Sequence, residues 1–136
     1  MTRDVVLAKC ESIERCVGRA RKVYAGVPAH LTEDLEKQDS IVLNLQRACE
    51  TSIDLAMHLI ASLRLGVPQD SREAFTLLVR GGGLPSELGD SLRRMVGFRN
   101  VAVHEYRALD LEVVRDIVER RSDELLSFAR WALALS

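Results

Sequence analysis

Prolines number three in 136 residues and tryptophans one, and aromatic side chains make up only 4% of the chain. Proline removes a helical hydrogen bond and clashes with the preceding turn, so its scarcity leaves long stretches free to run as uninterrupted helices. The shortage of aromatics argues against a broad base-stacking platform of the kind that grips single strands without sequence preference. Cysteine is equally sparse. Cys10, Cys16 and Cys49 are an odd number without C-x-x-C spacing, which argues against both a disulfide framework and a zinc site and fits buried free thiols in a reducing cytoplasm. No apolar run approaches the ~20 residues needed to span a bilayer. Nor does an N-terminal apolar segment precede a small-residue cleavage site, so a cytoplasmic location is expected. The formal net charge is −1, too small for strong non-specific attraction to nucleic acid or membrane, and any polyanion site must therefore be local. The absence of a paired H-x-x-x-D/E cluster with open-site geometry disfavours a metal-dependent helical phosphohydrolase.

What is present is helical periodicity in a chain whose length suits one domain. Val6, Ile13, Val17, Ala20 and Tyr24 step by seven, four, three and four, which places them on one stripe of a helix. A second, longer helix is expected from about Thr32 to Arg64, with Thr32 as N-cap and Glu33 and Asp34 favourably placed against its dipole. In it Ile41, Leu45, Ala48, Ser52, Leu55 and Leu59 repeat by four and three, while Leu43, Ala56, Ile60 and Leu63 widen the apolar surface. Such a helix should be central. A short helix over Ser71 to Val79 carries Phe75 and Leu78 and is stopped by the triple glycine, Gly81 to Gly83. The next starts near Pro85, which suits a first helical position, and turns Leu88, Leu92, Met95 and Phe98 inward. A last one begins at Asp110 as cap and presents Val114, Ile117, Val118, Leu125, Phe128 and Ala132. With no sustained period-two alternation, the fold class is all-α, a bundle of four main helices plus one short one in a single domain spanning residues 1–136.

One stretch is unlike the rest. Residues 97 to 106 read GFRNVAVHEY and gather an arginine, an asparagine, a histidine and a tyrosine between Arg99 and Tyr106. If the stretch is helical, Arg99 and Tyr106 fall on nearly the same line, and Asn100 and His104 stack on an adjacent one. Arg99 and His104 are then about 140° apart around the helix, too divergent for a compact pair in one regular helix. A kink or a second copy of the chain must bring them together, and a symmetric dimer would place two arginines and two histidines in one cleft. Between Ser91 and Ala108 four arginines, Arg93, Arg94, Arg99 and Arg107, stand against Glu105 alone, which concentrates positive charge for an anionic substrate. Metal-free RNA cleavage needs a base for the 2′-hydroxyl, an acid for the leaving oxygen and a cation for the phosphoryl oxygens. His104 suits the first two tasks and Arg99 the third, with Asn100 placed to orient the imidazole or hold a phosphate oxygen. By spacing alone, a solvated helix face with a satisfied histidine reads as well.

The run from Arg99 to Tyr106 resembles the R-x4-H-x-Y motif of HepT-like toxins, a branch of the HEPN superfamily. The likeness extends to NLQRACETSIDLAMHLI in the long helix, to Glu73-Ala74-Phe75 through Leu78, and to LRRMVGFRN before the motif. It covers most of the chain from about Asp39 onward. The resemblance implies a metal-independent endoribonuclease that acts as the toxin of a type VII toxin–antitoxin pair and forms a homodimer with the motif residues of both subunits in a shared cleft. It also implies a cognate antitoxin, a small MNT-type nucleotidyltransferase that uses ATP to attach AMP to the motif tyrosine. On this basis Arg99 and His104 are catalytic, Asn100 is supporting and Tyr106 is the AMP acceptor; the chain departs from the motif at none of them. The competing class is a non-catalytic HEPN partner that binds nucleotide or substrate for a nucleotidyltransferase. The tyrosine role is chemically reasonable, since nucleotide phosphates attached there would pair with arginines that otherwise hold RNA. Asp54 and His58, four apart in the most apolar helix, could hydrogen-bond as a register-fixing pair or line the cleft. His30 reads as a solvated turn residue, and Trp131 as a core or dimer contact.

Overall fold

The proline-free stretches become helices of 23 and 29 residues, α1 (Arg3–Ala25) and α2 (Leu35–Leu63), in a computed structural model that describes residues 3–27, 29 and 31–136. Four more follow: α3 (Ser71–Gly81), α4 (Ser86–His104), α5 (Leu111–Asp116) and α6 (Ser122–Leu135). A π-helical segment, Ile117–Arg121, joins α5 to α6 into one C-terminal rod. The described residues contain no strand, so the all-α expectation holds. His30 and Pro28 lie outside the described residues.

α2 packs against α1, α3, α4 and α6, the central placement its wide apolar surface implies. Ile41, Leu45, Ala48, Ser52, Leu55, Ala56, Leu59 and Ile60 are all buried, whereas Leu43 and Leu63 remain exposed at its margins. The expected stripe of α1 is buried throughout, as are the six residues expected of the C-terminal rod. Phe128 meets Phe75 edge-on at 5.4 Å and stacks with Trp131 at 5.9 Å, so Trp131 is a core contact. The three cysteines are buried and unbridged. No helix among the described residues is long and apolar enough to cross a membrane.

The helix ends differ from the sequence reading for identifiable reasons. Asp34, and not Thr32, caps α2, because its carboxylate accepts from the Lys37 N–H at 3.1 Å while Thr32 stands two residues too far out. At the other end Arg64 adopts a left-handed φ of 56°, and the Leu65 N–H returns to the Ile60 carbonyl at 3.0 Å. α3 is capped by Asp70, which accepts from the Glu73 N–H, while Glu73 reaches back to the Gln69 N–H. That helix runs two residues beyond Val79 before Gly83, at φ +82°, turns the chain. Pro85 sits at the cap of α4, one residue before the first helical position.

Two helical glycines show how packing decides a residue's value. A β-carbon on Gly89 would lie 2.4 Å from Val79 Cγ2, so only glycine lets α4 approach α3 this closely. At Gly18 the same atom would meet nothing within 4 Å. Alanine gains up to ~1 kcal/mol over glycine within a helix, whereas overpacking against a stiff valine costs ~1–3 kcal/mol. Denaturant unfolding should therefore find Gly89→Ala less stable by about 1 kcal/mol and Gly18→Ala more stable by up to about 1 kcal/mol.

Candidate active site

The last turns of α4 carry Arg99, Asn100 and His104, and the helix stops at His104. Glu105 leaves helical geometry at φ −141°, ψ 47°, after its N–H makes a final bond to the Val101 carbonyl at 2.8 Å. A 3₁₀ turn, Tyr106–Ala108, follows and leads to the Asp110 cap of α5. Tyr106 is thus outside the helix, and the expectation that it continues the line of Arg99 does not hold. The helix break cannot reconcile Arg99 with His104 either, because both precede it and remain about 140° apart on a regular helix.

Arg99 is the most constrained member. Its Nε and Nη2 donate to Glu50 Oε2 on α2 at 3.3 and 3.2 Å, and its Nη1 donates to Asn100 Oδ1 at 3.1 Å. Three of the five N–H groups of a guanidinium are engaged, which fixes the fork while leaving two donors for a ligand. Both members of the Arg99–Glu50 pair keep solvent contact, at 28% and 35% side-chain exposure. Asn100 therefore orients the guanidinium, where the sequence had also allowed an imidazole partner. His104 is exposed and makes no hydrogen bond to a described residue, so its imidazole is unencumbered. Beneath them, burial and the neighbouring Glu50 push the Cys49 thiol up to about 12, against an opposing pull from Arg99, so it is an inert core group.

Tyr106 is 42% exposed, and its hydroxyl donates to Asp39 Oδ1, near the start of α2. Partial burial first, and the Asp39 carboxylate second, push the phenol up to about 12. It stays protonated at neutral pH. The local positive charge is partly consumed: Arg93 is ion-paired with Asp90, whereas Arg94, among the described residues, donates only to the Ser91 hydroxyl at 3.4 Å. A largely apolar cavity of about 380 Å³ lies between α4 and the C-terminal rod, lined in part by Met95, Phe98, Val113 and Ile117; neither Arg99 nor His104 reaches it.

The Asp54–His58 bond that their spacing allowed is not formed. Asp54 is exposed one turn beyond Glu50, and His58 is half-buried with Nε2 enclosed and unpartnered. The carboxylates that do contact the motif, Asp39 and Glu50, are the ones the sequence reading missed. Nothing in the sequence singled them out, since both lie about 160–180° around α2 from Ile41 of its buried stripe, where an acidic residue is ordinary.

Glu50 acts through Arg99. Charge-assisted hydrogen bonds of this kind contribute ~1.5–3 kcal/mol, reduced here by solvent. Glu50→Gln, which keeps the shape and loses the charge, should lower any Arg99-dependent turnover by about tenfold, measured as initial rates at saturating substrate.

Comparison with known proteins gives the family. Residues 13–131 match the family described as "Ribonuclease HepT-like". The chain is 41% identical over 125 residues to the mRNA nuclease HepT of Shewanella oneidensis, covering 92% of this chain and 93% of that one. Among solved structures it is similar to a tri-AMPylated Shewanella oneidensis HEPN toxin in complex with an MNT antitoxin, with a TM-score of 0.89, 40% identity and 96% of each chain covered. It is also similar to a toxin–antitoxin crystal structure with AMP-PNP, with a TM-score of 0.88, 39% identity and coverage of 93% of this chain and 96% of that one. A match over most of the length, in sequence and in backbone, places the chain in the HepT-like ribonuclease family.

Proposed function

We propose that the protein is the toxin of a HepT/MntA-type pair, a metal-independent endoribonuclease whose site forms between two copies of the chain. The observation that carries this reading is the Arg99 guanidinium, fixed by Glu50 and Asn100 with two donors left over, five residues before an unencumbered His104 at a helix end. Within one subunit the two groups diverge, and a twofold axis beside the end of α4 is the simplest operation that sets them around one phosphate. In the paired cleft one imidazole takes the proton of the ribose 2′-hydroxyl, the other protonates the departing 5′-oxygen, and the arginines hold the non-bridging oxygens as negative charge builds there. An imidazole is a base in its neutral form and an acid in its protonated form, which lets two copies of one residue serve both tasks.

Tyr106 is the control point. Its exposure makes the hydroxyl accessible to an MNT-type nucleotidyltransferase, and AMP attached there would offer phosphates to the arginines of the cleft, excluding RNA. The antitoxin is therefore an enzyme acting on this chain in the cytoplasm, and its product is a blocked nuclease.

The direct test is incubation of the purified chain with total RNA in excess EDTA, followed on a denaturing gel. Fragments that accumulate at an unchanged rate in EDTA support the reading. Intact RNA in the presence and absence of magnesium would leave a non-catalytic partner of a nucleotidyltransferase as the better description.

A further inference from the structure

The contact between Tyr106 and Asp39 has a chemical meaning beyond the identity of the modified residue. A phenol that is to attack a phosphorus atom must lose its proton, and the position of this one far above neutrality means that little of it is ionised beforehand. Asp39 accepts the hydroxyl hydrogen directly. The carboxylate has no other assignment among the described residues: it is in no ion pair, it does not cap α2, and Tyr106 is its hydrogen-bond partner. Several surface carboxylates in this chain serve arginines or helix ends, as Asp34, Asp70, Asp90, Asp110 and Asp116 do; Glu119 also accepts from a tyrosine, Tyr24, but that residue is buried, at 8% exposure, and offers no accessible hydroxyl. Asp39 is exposed, so a proton it receives can pass to water, and an enzyme approaching Tyr106 meets both groups at once.

We infer that Asp39 is the general base for nucleotidyl transfer to Tyr106, a catalytic carboxylate supplied by the modified protein itself. The inference rests on the reading of Tyr106 as the AMP acceptor. In the step, the tyrosine Oη–H bond breaks as its proton moves to the Asp39 carboxylate, and Oη forms a bond to the α-phosphorus of ATP. The bond from that phosphorus to the oxygen bridging to the β-phosphate breaks, and pyrophosphate leaves with the electron pair. The phenol oxygen enters as the nucleophile and ends as the bridging oxygen of a tyrosyl phosphodiester. Asp39 thereby makes the target part of the catalyst, and surface tyrosines without such a neighbour are poor acceptors.

Single-turnover transfer from α-labelled ATP by an excess of the cognate nucleotidyltransferase tests this, with the parent chain, Asp39→Asn, Asp39→Glu and Tyr106→Phe as acceptors. Asparagine keeps an oxygen that accepts the same hydrogen bond and cannot take the proton. A positioned base contributes ~10²–10⁴-fold, so Asp39→Asn should slow transfer by about 100-fold or more, Asp39→Glu should recover most of the rate, and Tyr106→Phe should take no label. Transfer to Asp39→Asn at the parent's rate would overturn the assignment while leaving Tyr106 as the acceptor. Equal losses in Asp39→Asn and Asp39→Glu would also overturn it, in favour of a purely geometric role. A parent that takes no label, or a Tyr106→Phe chain that takes as much as the parent, would instead overturn the acceptor reading and this inference with it.

Discussion

RNA incubated with the Arg99→Ala or His104→Ala chain should stay intact over times in which the parent digests it. Removing a group that stabilises charge in the transition state costs ~10²–10³ in rate, and removing a proton-transfer group costs ~10²–10⁴. The double variant should be about as poor as the worse single one, because groups that act as a unit do not multiply. Arg99→Lys is expected to fail too: an ammonium cannot donate sideways to Glu50 and Asn100 while presenting a fork to phosphate. Stability should barely move. The Arg99–Glu50 pair is partly solvated, and such pairs contribute ~0–1 kcal/mol, so thermal midpoints of parent and variants should agree within a few degrees, ~4–8 °C per kcal/mol at most for a small domain. Loss of cleavage with retained folding identifies chemistry as the cause. Mixing the two single variants adds a sharper criterion. If the cleft is composite, heterodimers keep one arginine and one histidine facing the same phosphate, and part of the activity returns; if each chain acts alone, mixing restores nothing.

The second large effect concerns Tyr106. With the cognate nucleotidyltransferase and ATP, the intact mass of the parent should rise by one or more AMP units, and cleavage should stop. Tyr106→Phe should show no mass increase and should continue to cut RNA under the same conditions. The substitution removes one surface hydrogen bond, to Asp39, and leaves the ring in place, so it should cost no more than about 1 kcal/mol of stability. Mass addition that survives it would place the acceptor elsewhere.

The periodicities that made the fold legible were those of burial. Steps of three and four located the core faces of α1 and α2 because a buried stripe has only one arrangement on a helix, and Asp110 was readable as a cap because a carboxylate next to free N–H groups has few alternatives. Thr32 was misread for a related reason: several capping residues in a row compete, and the winner is set by where the first core residue must sit. The π segment from Ile117 to Arg121 left no trace in the pattern, since one extra residue in a turn shifts the stripe by less than its own width. Arg99, Asn100, His104 and Tyr106 were legible through their match to the R-x4-H-x-Y motif, since by spacing alone a solvated helix face read as well. Glu50 and Asp39 were not, because an exposed acid on a helix is ordinary until a partner from another element is placed against it. What sequence proximity suggested about Tyr106, that it prolongs the arginine's line, failed at Glu105, where the backbone leaves the helix.

Asp39 and Glu50 are eleven residues apart on one straight helix, which returns them to within about 20° of the same line and separates them by ~16 Å. α2 is therefore a ruler: it measures the interval between the carboxylate that holds Arg99 and the carboxylate that holds Tyr106. Inserting one amino acid between them would rotate one mark by about 100° and lengthen the interval by only ~1.5 Å. The calibration lies in angle far more than in distance, so a change in the number of residues there would turn one carboxylate away from its partner while leaving the other in place.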